Sequence, residues 1–358
     1  MKYADLFAGI GGFRYALDDL GMECVLTSEK DKIPLSMYKD LHGDKGVFIN
    51  NVEDITLEDL PEHDLIVAGI PCQGFSQNGK KTGFKHESGS MFFEMLRVAK
   101  LKKTKYVLIE NVFGILTNDN KNTITTILSA LTENGYSVDF DLLTSYNFSV
   151  PQDRKRVFII GVLDGEQEEW VKNENKTVNK IKNIIIGKNP DIKTFNFPYP
   201  KGKDKNTLIS NILDKDVSKS EYLEFNEGFL TSLGNNNFRI KDGTKKGYTD
   251  FEAIPFSTTI DYKFQTSKTR RGRVKKGISK TLDQAMEVAV YDGQGFRRLT
   301  QLEVFRLQGF PDEAYYTLKN NGYRDSQMYA RPSRSITVPL VKEIGKALLE
   351  YDNSLKGG

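Results

Sequence analysis

The sequence predicts an α/β fold: a doubly wound, mostly parallel sheet with helices on both faces, accompanied by a second, smaller, irregular β-rich domain. Three observations predict it. Up to about residue 165, short β-branched or aromatic runs alternate with segments that carry apolar residues at helical spacing, the rhythm of strand and crossover helix. The first of these runs ends in a glycine-rich turn, which is how such a sheet opens onto a ligand. After residue 165 the chain becomes rich in lysine and asparagine, then breaks into short strand-like runs without the crossover rhythm. A chain of 358 residues is long enough for both parts, and the expected boundaries are 1–190 plus 326–358 for the sheet domain, 191–310 for the second domain and 311–325 for a hinge.

In order along the chain, "KYADLF", "CVLTSE", "DLIVAG", "KYVLIE" and "RVFIIGVL" read as strands, and "GFRYALDDLG" and "SMFFEMLRVAKLKK" as helices between them. The stretch "EEWVKNENKTVNKIKNIIIGKNPDIKTFNFPYPKGKDKN" reads as a connection leaving the sheet, its "KIKNIII" portion open to strand or helix. Residues 207–295 form the irregular region. "RRLTQLEVFRLQGFPDEAYY" and "SITVPLVKEIGKALLEY" return to helix and strand patterning, and the last helix is amphipathic enough to dock on the first domain.

Composition excludes several classes. Thirty-eight per cent hydrophobic and 28 per cent charged residues describe a soluble globular chain, and no stretch approaches the roughly 20 apolar residues of a membrane-spanning helix. The opening "MKYADLFAGIGGFRYALDDLG" is broken by charge and glycine before a signal-peptide core could form, so a cytoplasmic location is expected. The lysine and asparagine bias fits an AT-rich bacterial genome. Two cysteines, Cys24 and Cys72, cannot make a disulfide framework, and His42, His63 and His86 are too scattered for a structural zinc site; no metal is expected. No zipper or large apolar patch is visible, which predicts a monomer.

A formal charge of +3 is too small to imply nucleic acid, but its distribution is uneven. Residues 262–282 hold eight basic side chains (Lys263, Lys268, Arg270, Arg271, Arg273, Lys275, Lys276 and Lys280) and no acid. Such a run is as readily a solvated face. Arginines interleaved with Thr, Ser and Gly, which also donate to phosphate, favour a nucleic-acid backbone.

Candidate chemistry collects at the strand ends. "LFAGIGGF" lets backbone approach a ligand, and Glu29, 20 residues beyond Gly9, stands where an acid accepts from ribose hydroxyls. The pattern is GxGG rather than GxGxxG, which favours S-adenosylmethionine over a dinucleotide. Cys24 in "ECVLTSE" reads as a small buried hydrophobe. Cys72 in "GIPCQGFSQNGKK" lies in a polar loop after the "DLIVAG" strand, with lysines that favour the thiolate. "IENVFG" brings Glu110 and Asn111 to the same edge, either as a structural cap or as an acid that holds or delivers a proton. "VPQDRKRVFIIG" adds Arg154 and Arg156, two apart and so on one side of a strand, suited to gripping a carbonyl oxygen or phosphate.

These elements, in this order, resemble the cytosine-5 DNA methyltransferases of bacterial restriction-modification type: "DLFAGIGGF", "SEKD", "AGIPCQGFSQNGKK", "SGSMFFEMLRV", "LIENVFGI", "VPQDRKRVFIIG", "GISKTL" and "RRLTQLEVFRLQGFPD". The resemblance implies that Cys72 attacks C6 of a cytosine flipped out of duplex DNA, that Glu110 holds N3 and the amine, and that Arg156 contacts the base carbonyl with Arg154 supporting. It places Phe7, Ala8, Gly9, Ile10, Gly11 and Gly12 along S-adenosylmethionine, which leaves as S-adenosylhomocysteine. It also sets Glu29 on the ribose, Lys30, Asn51 and Val52 about the adenine, and Pro71 and Ser335 near the cofactor. Gln73, Gln77 and Asn78 belong to the loop that closes over the site and fills the vacated duplex. Arg270, Arg271, Arg273, Thr281 and Leu282 fall in the variable target-recognition region. A cognate restriction endonuclease commonly accompanies such enzymes.

One element departs from the family. Members usually read "QMGNSVxVPV" near the C-terminus, whereas this chain has "ARPSRSITVPLV", with Ser333 and Arg334 in place of glycine and asparagine. One eukaryotic branch carries arginine at the asparagine position. Three rival readings stand beside the first. A tRNA cytosine-5 methyltransferase would have a shorter recognition region than residues 190–310, and a silent DNA-binding homologue would lack Cys72, Glu110 or the glycine turn. A nicotinamide oxidoreductase has no need of the cysteine loop.

Overall fold

The computed structural model of the chain describes residues 1–70, 87–202, 206–214, 217, 221–226, 228–241, 247–263, 265, 272–282 and 287–356. They fall into two compact units, one of Met1–Leu143, Lys155–Lys201 and Leu340–Gly358, the other of Thr144–Arg154 and Gly202–Pro339.

The first unit is built on a sheet of seven strands: β1 (Lys2–Leu6), β2 (Glu23–Ser28), β3 (Val47–Phe48), β4 (Leu65–Gly69), β5 (Tyr106–Val112), β6 (Tyr136–Thr144) and β8 (Lys155–Leu163), with β7 (Gln152–Asp153) lying outside it. Their order is β3-β2-β1-β4-β5-β8-β6. The pairs β1/β2, β2/β3, β1/β4 and β4/β5 are parallel and β8 is antiparallel to β5. The chain runs outward from β1 to β3, then returns to lay β4 on the other side of β1. The strand order therefore reverses between β1 and β4, the crevice where open α/β sheets bind ligands.

All five runs read as strands form this sheet. Two more strands complete it: β3 is only two residues long, and in β6 Asp139 and Asp141 interrupt the apolar residues. Asp139 is 3% exposed and is held by Lys182 Nζ at 2.5 Å and by the Phe140 and Phe197 amides, so its charge is compensated inside the core.

The two helices read from the sequence are α1 (Gly12–Asp18) and α3 (Glu87–Leu101); α2 (Lys32–His42) and α4 (Asn122–Glu133) complete the first half. The lysine- and asparagine-rich stretch is no departing connection. Asn175 caps α5 (Lys176–Lys188) by accepting from the Thr177 and Val178 amides, and Val178, Ile181 and Ile185, at helical spacing, enter the core of the sheet. The unit accordingly continues to Lys201, past the expected boundary at 190. At the far end of the chain α9 (Val338–Lys356) docks as expected, with Gly345 against Leu17 and Leu20 and Asp352 accepting from Lys105 Nζ and Tyr106 Oη at 2.7 and 2.8 Å.

The second unit is β-rich and irregular. Strands β9 (Leu230–Gly234), β10 (Asn237–Lys241) and β11 (Tyr248–Glu252) form one antiparallel sheet. A second contains β12 (Thr258–Asp261), β13 (Arg273–Lys276), β15 (Val288–Tyr291) and β16 (Phe296–Arg298), while β14 (Ser279–Lys280) pairs with β7. Strand β15 alternates between two cores: Val288 and Val290 pack with Ile209, Leu299, Val304 and Leu307, and Ala289 and Tyr291 with Phe229, Ile240, Ile260 and Phe296. Helices α6 (Gln301–Arg306), α7 (Asp312–Asn320) and α8 (Asp325–Arg334) also belong here. The segment expected as a hinge thus holds α7, with Ala314, Tyr315 and Leu318 buried, and residues 326–339 cluster with this unit rather than with the sheet.

Candidate active site

The turn after β1 is shaped by three left-handed residues, Phe7 (φ 58°), Gly9 (φ 60°) and Gly11 (φ 81°). The Ala8 amide bonds to the Ser28 carbonyl at 3.1 Å, and the Gly11 amide to the Ala8 carbonyl at 2.9 Å. Glu29, just past β2, receives the Gly9 amide on Oε2 at 2.9 Å and the Asp31 amide on Oε1 at 2.8 Å. The sequence interval from glycine to acid is therefore a direct contact in space. Ile10 and Gly12 are buried, and Lys30 is exposed.

Asn51 and Val52 follow β3, with Val52 buried. Sequence reasoning missed what holds them. Arg97 on α3 donates to the carbonyls of Val52 (2.8 Å), Ile55 (2.9 Å) and Glu53 (3.3 Å), and is itself braced by Glu94 at 2.7 Å. Nothing in "FFEMLRV" marks this arginine, because its partners are backbone atoms more than 40 residues away.

The sheet also carries a buried polar cluster behind the turn. Asp5 is fully buried with neither carboxylate oxygen hydrogen-bonded among the described residues, and burial pushes its pKa well above the usual carboxylate range. Cys24 is buried as expected. Burial first, then the nearby Asp5, raise its thiol to about 11.

At the next strand end, Gly69 of β4 pairs with Glu110 of β5, and a Cβ on Gly69 would stand 3.9 Å from Glu110 Oε2. Glu110 is 9% exposed and meets Arg156 of β8, Nε to Oε1 at 2.8 Å. Asn111 donates to the Ile70 carbonyl at 3.5 Å and accepts the Val112 amide at 2.9 Å. Both strands thus terminate in a fixed arrangement of carboxylate, guanidinium and amide. Pro71, Cys72, Gln73, Gln77, Asn78, Arg270 and Arg271 lie outside the described residues.

Arg154 does not share a strand face with Arg156. Strand β8 begins at Lys155, and Arg154 is 2% exposed in the second unit, donating to the carbonyls of Ser333 (Nη1, 3.1 Å) and Ser335 (Nη2, 2.8 Å). A buried guanidinium engaged by backbone carbonyls supports a segment and does not present itself to a substrate. Ser335 enters this contact through its carbonyl.

Leu282 is likewise withdrawn, 2% exposed within the core beside Val288 and Leu307, so its side chain does not present itself at the surface as the expected DNA contact would require. Its amide bonds to Gln152 Oε1 at 3.1 Å, Thr281 Oγ1 donates to the Asp153 carbonyl at 2.7 Å, and Gln152 Nε2 reaches the Leu307 carbonyl at 2.7 Å. In the basic stretch, Lys275 pairs with Asp153 at 2.7 Å and Lys280 with Asp261 at 2.6 Å. Arg273 on β13 is exposed and has no ion-pair partner among the described residues.

The family model for C-5 cytosine-specific DNA methylases matches residues 1–350. The chain belongs to that family. The type II methyltransferase M.BsuFI of Bacillus subtilis is 32% identical over 355 residues, covering 98% of this chain and 73% of that protein. M.HaeII of Haemophilus aegyptius is 31% identical over 353 residues, covering 98% and 94%. Among solved structures, the S. pombe Dnmt2 methyltransferase superposes with a TM-score of 0.62 over 99% of each chain at 18% identity, a likeness of fold. The protein is thus a C-5 cytosine DNA methyltransferase by family, with the Rossmann-like sheet of that enzyme class.

Proposed function

We propose that this methyltransferase moves a methyl group from S-adenosylmethionine to C5 of a cytosine flipped out of a specific duplex DNA sequence, through a covalent bond between Cys72 and C6. The observation that carries this reading is the Glu110–Arg156 pair at the end of β5, beside the strand that leads into the cysteine loop, in a chain of this family.

The turn after β1 fits the cofactor. Among the described residues no heavy atom lies within 4 Å of where a Cβ would stand on Gly9, which suits the backbone there to a ligand. The Glu29 carboxylate is already oriented by two amides, which suits it to a ribose diol. Val52, whose carbonyl Arg97 holds, and the preceding Asn51 would flank the adenine. When bound, the cofactor supplies an electrophilic methyl on sulfur.

The residues then divide the work. Cytosine C5 is a poor nucleophile. The Cys72 thiolate adds to C6, the C5–C6 electron pair shifts toward C5, and Glu110 supplies the proton that holds N3 neutral as the ring becomes an enamine. Arg156 stabilises the base carbonyl while bracing Glu110. Once C5 has taken the methyl group, its proton leaves to a base, the C5–C6 double bond reforms as the thiolate departs, and N3 returns its proton to Glu110. Extruding the base costs a few kcal/mol, which the loop from Gln73 onward, including Gln77 and Asn78, offsets by filling the gap. Arg273, with Arg270, Arg271 and Thr281, belongs to the target-recognition part that meets DNA, and the enzyme acts as a monomer. The type II relatives support a cognate endonuclease as partner in the same system.

Duplex DNA containing 5-fluorocytosine tests this directly. Fluorine cannot leave C5 as a proton does, so tritiated cofactor should yield a denaturation-resistant labelled adduct with the wild type and none with Cys72→Ser. DNA binding without an adduct across varied sequences would overturn the covalent reading.

A further inference from the structure

We infer that His42, the last residue of α2, is a positioning residue for the cofactor turn, and that Gly11 lacks a side chain in order to admit His42 rather than the cofactor. This rests on the cofactor reading above and goes beyond it, because that reading uses only the turn's backbone and Glu29.

The two glycines of the turn have different surroundings. Among the described residues nothing lies within 4 Å of a Cβ on Gly9. A Cβ on Gly11 would overlap His42 Nε2 and lie 2.7 Å from His42 Cδ2 and 3.0 Å from Tyr38 Cδ2. Its side-chain position is therefore already occupied by an imidazole from another element. The contact is also directional. His42 Nε2 lies 3.4 Å from the Ile10 carbonyl oxygen, and since a carbonyl only accepts, Nε2 carries the hydrogen. Burial, aided by the Arg14 charge, lowers the imidazole to about 4, so near neutral pH the ring is uncharged and this is its tautomer.

The imidazole is itself held. Its ring meets Tyr15 at 4.6 Å and Tyr38 at 4.7 Å between centroids. The Tyr38 hydroxyl shares a hydrogen bond with Thr27 Oγ1 at 2.9 Å and receives Arg14 Nη1 at 3.3 Å, and Arg14 pairs with Asp18 at 3.0 Å. A chain of contacts thus runs from β2 and α1 through Tyr38 to His42 and the turn. Phe7, the left-handed residue of the turn that carries a side chain, is costly to hold, and such strain persists only where surrounding structure supports it. Glu29 grips the turn at Gly9, and His42 grips it at Ile10 and Gly11.

The test compares His42→Leu, which fills the space without donating, with His42→Gln, which fills it and can donate to the Ile10 carbonyl. The readouts are S-adenosylhomocysteine affinity by calorimetry, DNA affinity, and amide hydrogen exchange at Gly11 and Gly12 without ligand. His42→Leu should weaken S-adenosylhomocysteine about tenfold, speed exchange at both amides and leave DNA binding unchanged, while His42→Gln stays within about threefold of wild type. A lower melting temperature with unchanged exchange and unchanged S-adenosylhomocysteine affinity in His42→Leu would assign His42 to packing alone and overturn the inference. If the wild type binds no S-adenosylhomocysteine, the cofactor reading fails, and exchange at Gly11 still decides the role of His42.

Discussion

The two units place their charged residues differently. In the sheet unit, Glu29, Glu110 and Arg156 stand at strand ends, oriented by backbone amides or by one another. In the β-rich unit the charged residues of the family motifs turn inward: Arg154 holds two carbonyls, Arg297 and Glu303 form a bidentate pair at 1% and 0% exposure, and Lys275 and Lys280 are neutralised by aspartates. At these motif positions the sheet unit leaves its charges at strand ends, whereas the β-rich unit uses them in internal contacts. Motif identity alone does not separate the two roles; burial and the nature of the partner do.

The sharpest break of this comparison is at Glu110. Glu110→Gln keeps shape and loses the acid, so single-turnover methyl transfer should fall ~10²–10⁴-fold with folding intact, the range of a lost general acid. A loss under about tenfold would move Glu110 into the structural class.

Next in size is the pair Arg297–Glu303. Glu303 also accepts the Thr300 and Asp214 amides, so Glu303→Gln leaves a buried guanidinium with only the more distant Asp292, 3.8 Å from its Nε, as counter-charge among the described residues. The expected loss is about 3–5 kcal/mol by chemical denaturation. A loss below about 1 kcal/mol would mean that this pair, too, is spare for another task.

Arg154 separates side chain from backbone in the altered C-terminal element. Because it binds the carbonyls of Ser333 and Ser335, the contact is indifferent to which side chains those residues carry, and this is how "ARPSRS" can replace the family's usual sequence without losing it. Arg154→Met should cost about 2–3 kcal/mol, whereas Ser333→Gly, which removes a buried helical hydroxyl bonded to the Ala330 carbonyl at 2.9 Å, should cost only about 1 kcal/mol. The reverse ranking would show that the side chains, not the carbonyls, carry the element.

The same division explains what the sequence disclosed. Five strands of the sheet, the glycine turn and its acid were legible because strand periodicity and the interval from Gly9 to Glu29 are local or follow from parallel topology. Strand β6 was not, since Asp139 is a core residue only by virtue of Lys182 on a helix more than 40 residues on. Arg97, Gln152 and His42 were invisible for a related reason: each acts on backbone atoms, and backbone partners leave no mark in residue identity. Leu282 and Arg154 were misplaced because family motifs name residues without saying which way they face.

The smallest effect distinguishes free from neutralised cations in the basic stretch. Arg273 is exposed on β13, so Arg273→Ala should weaken DNA binding a few-fold and lower the slope of log affinity against log salt by about 1, the signature of one lost phosphate contact. Lys275 differs by two residues and lies on the same strand, but Asp153 already sits 2.7 Å from its ammonium, so forming a phosphate contact there requires breaking that pair. Lys275→Ala should therefore shift the slope by less than half as much. Equal slopes for the two variants would show that DNA displaces Asp153 and that the ion pairs of the second unit are latent binding groups, which would erase the distinction between the two units at this position.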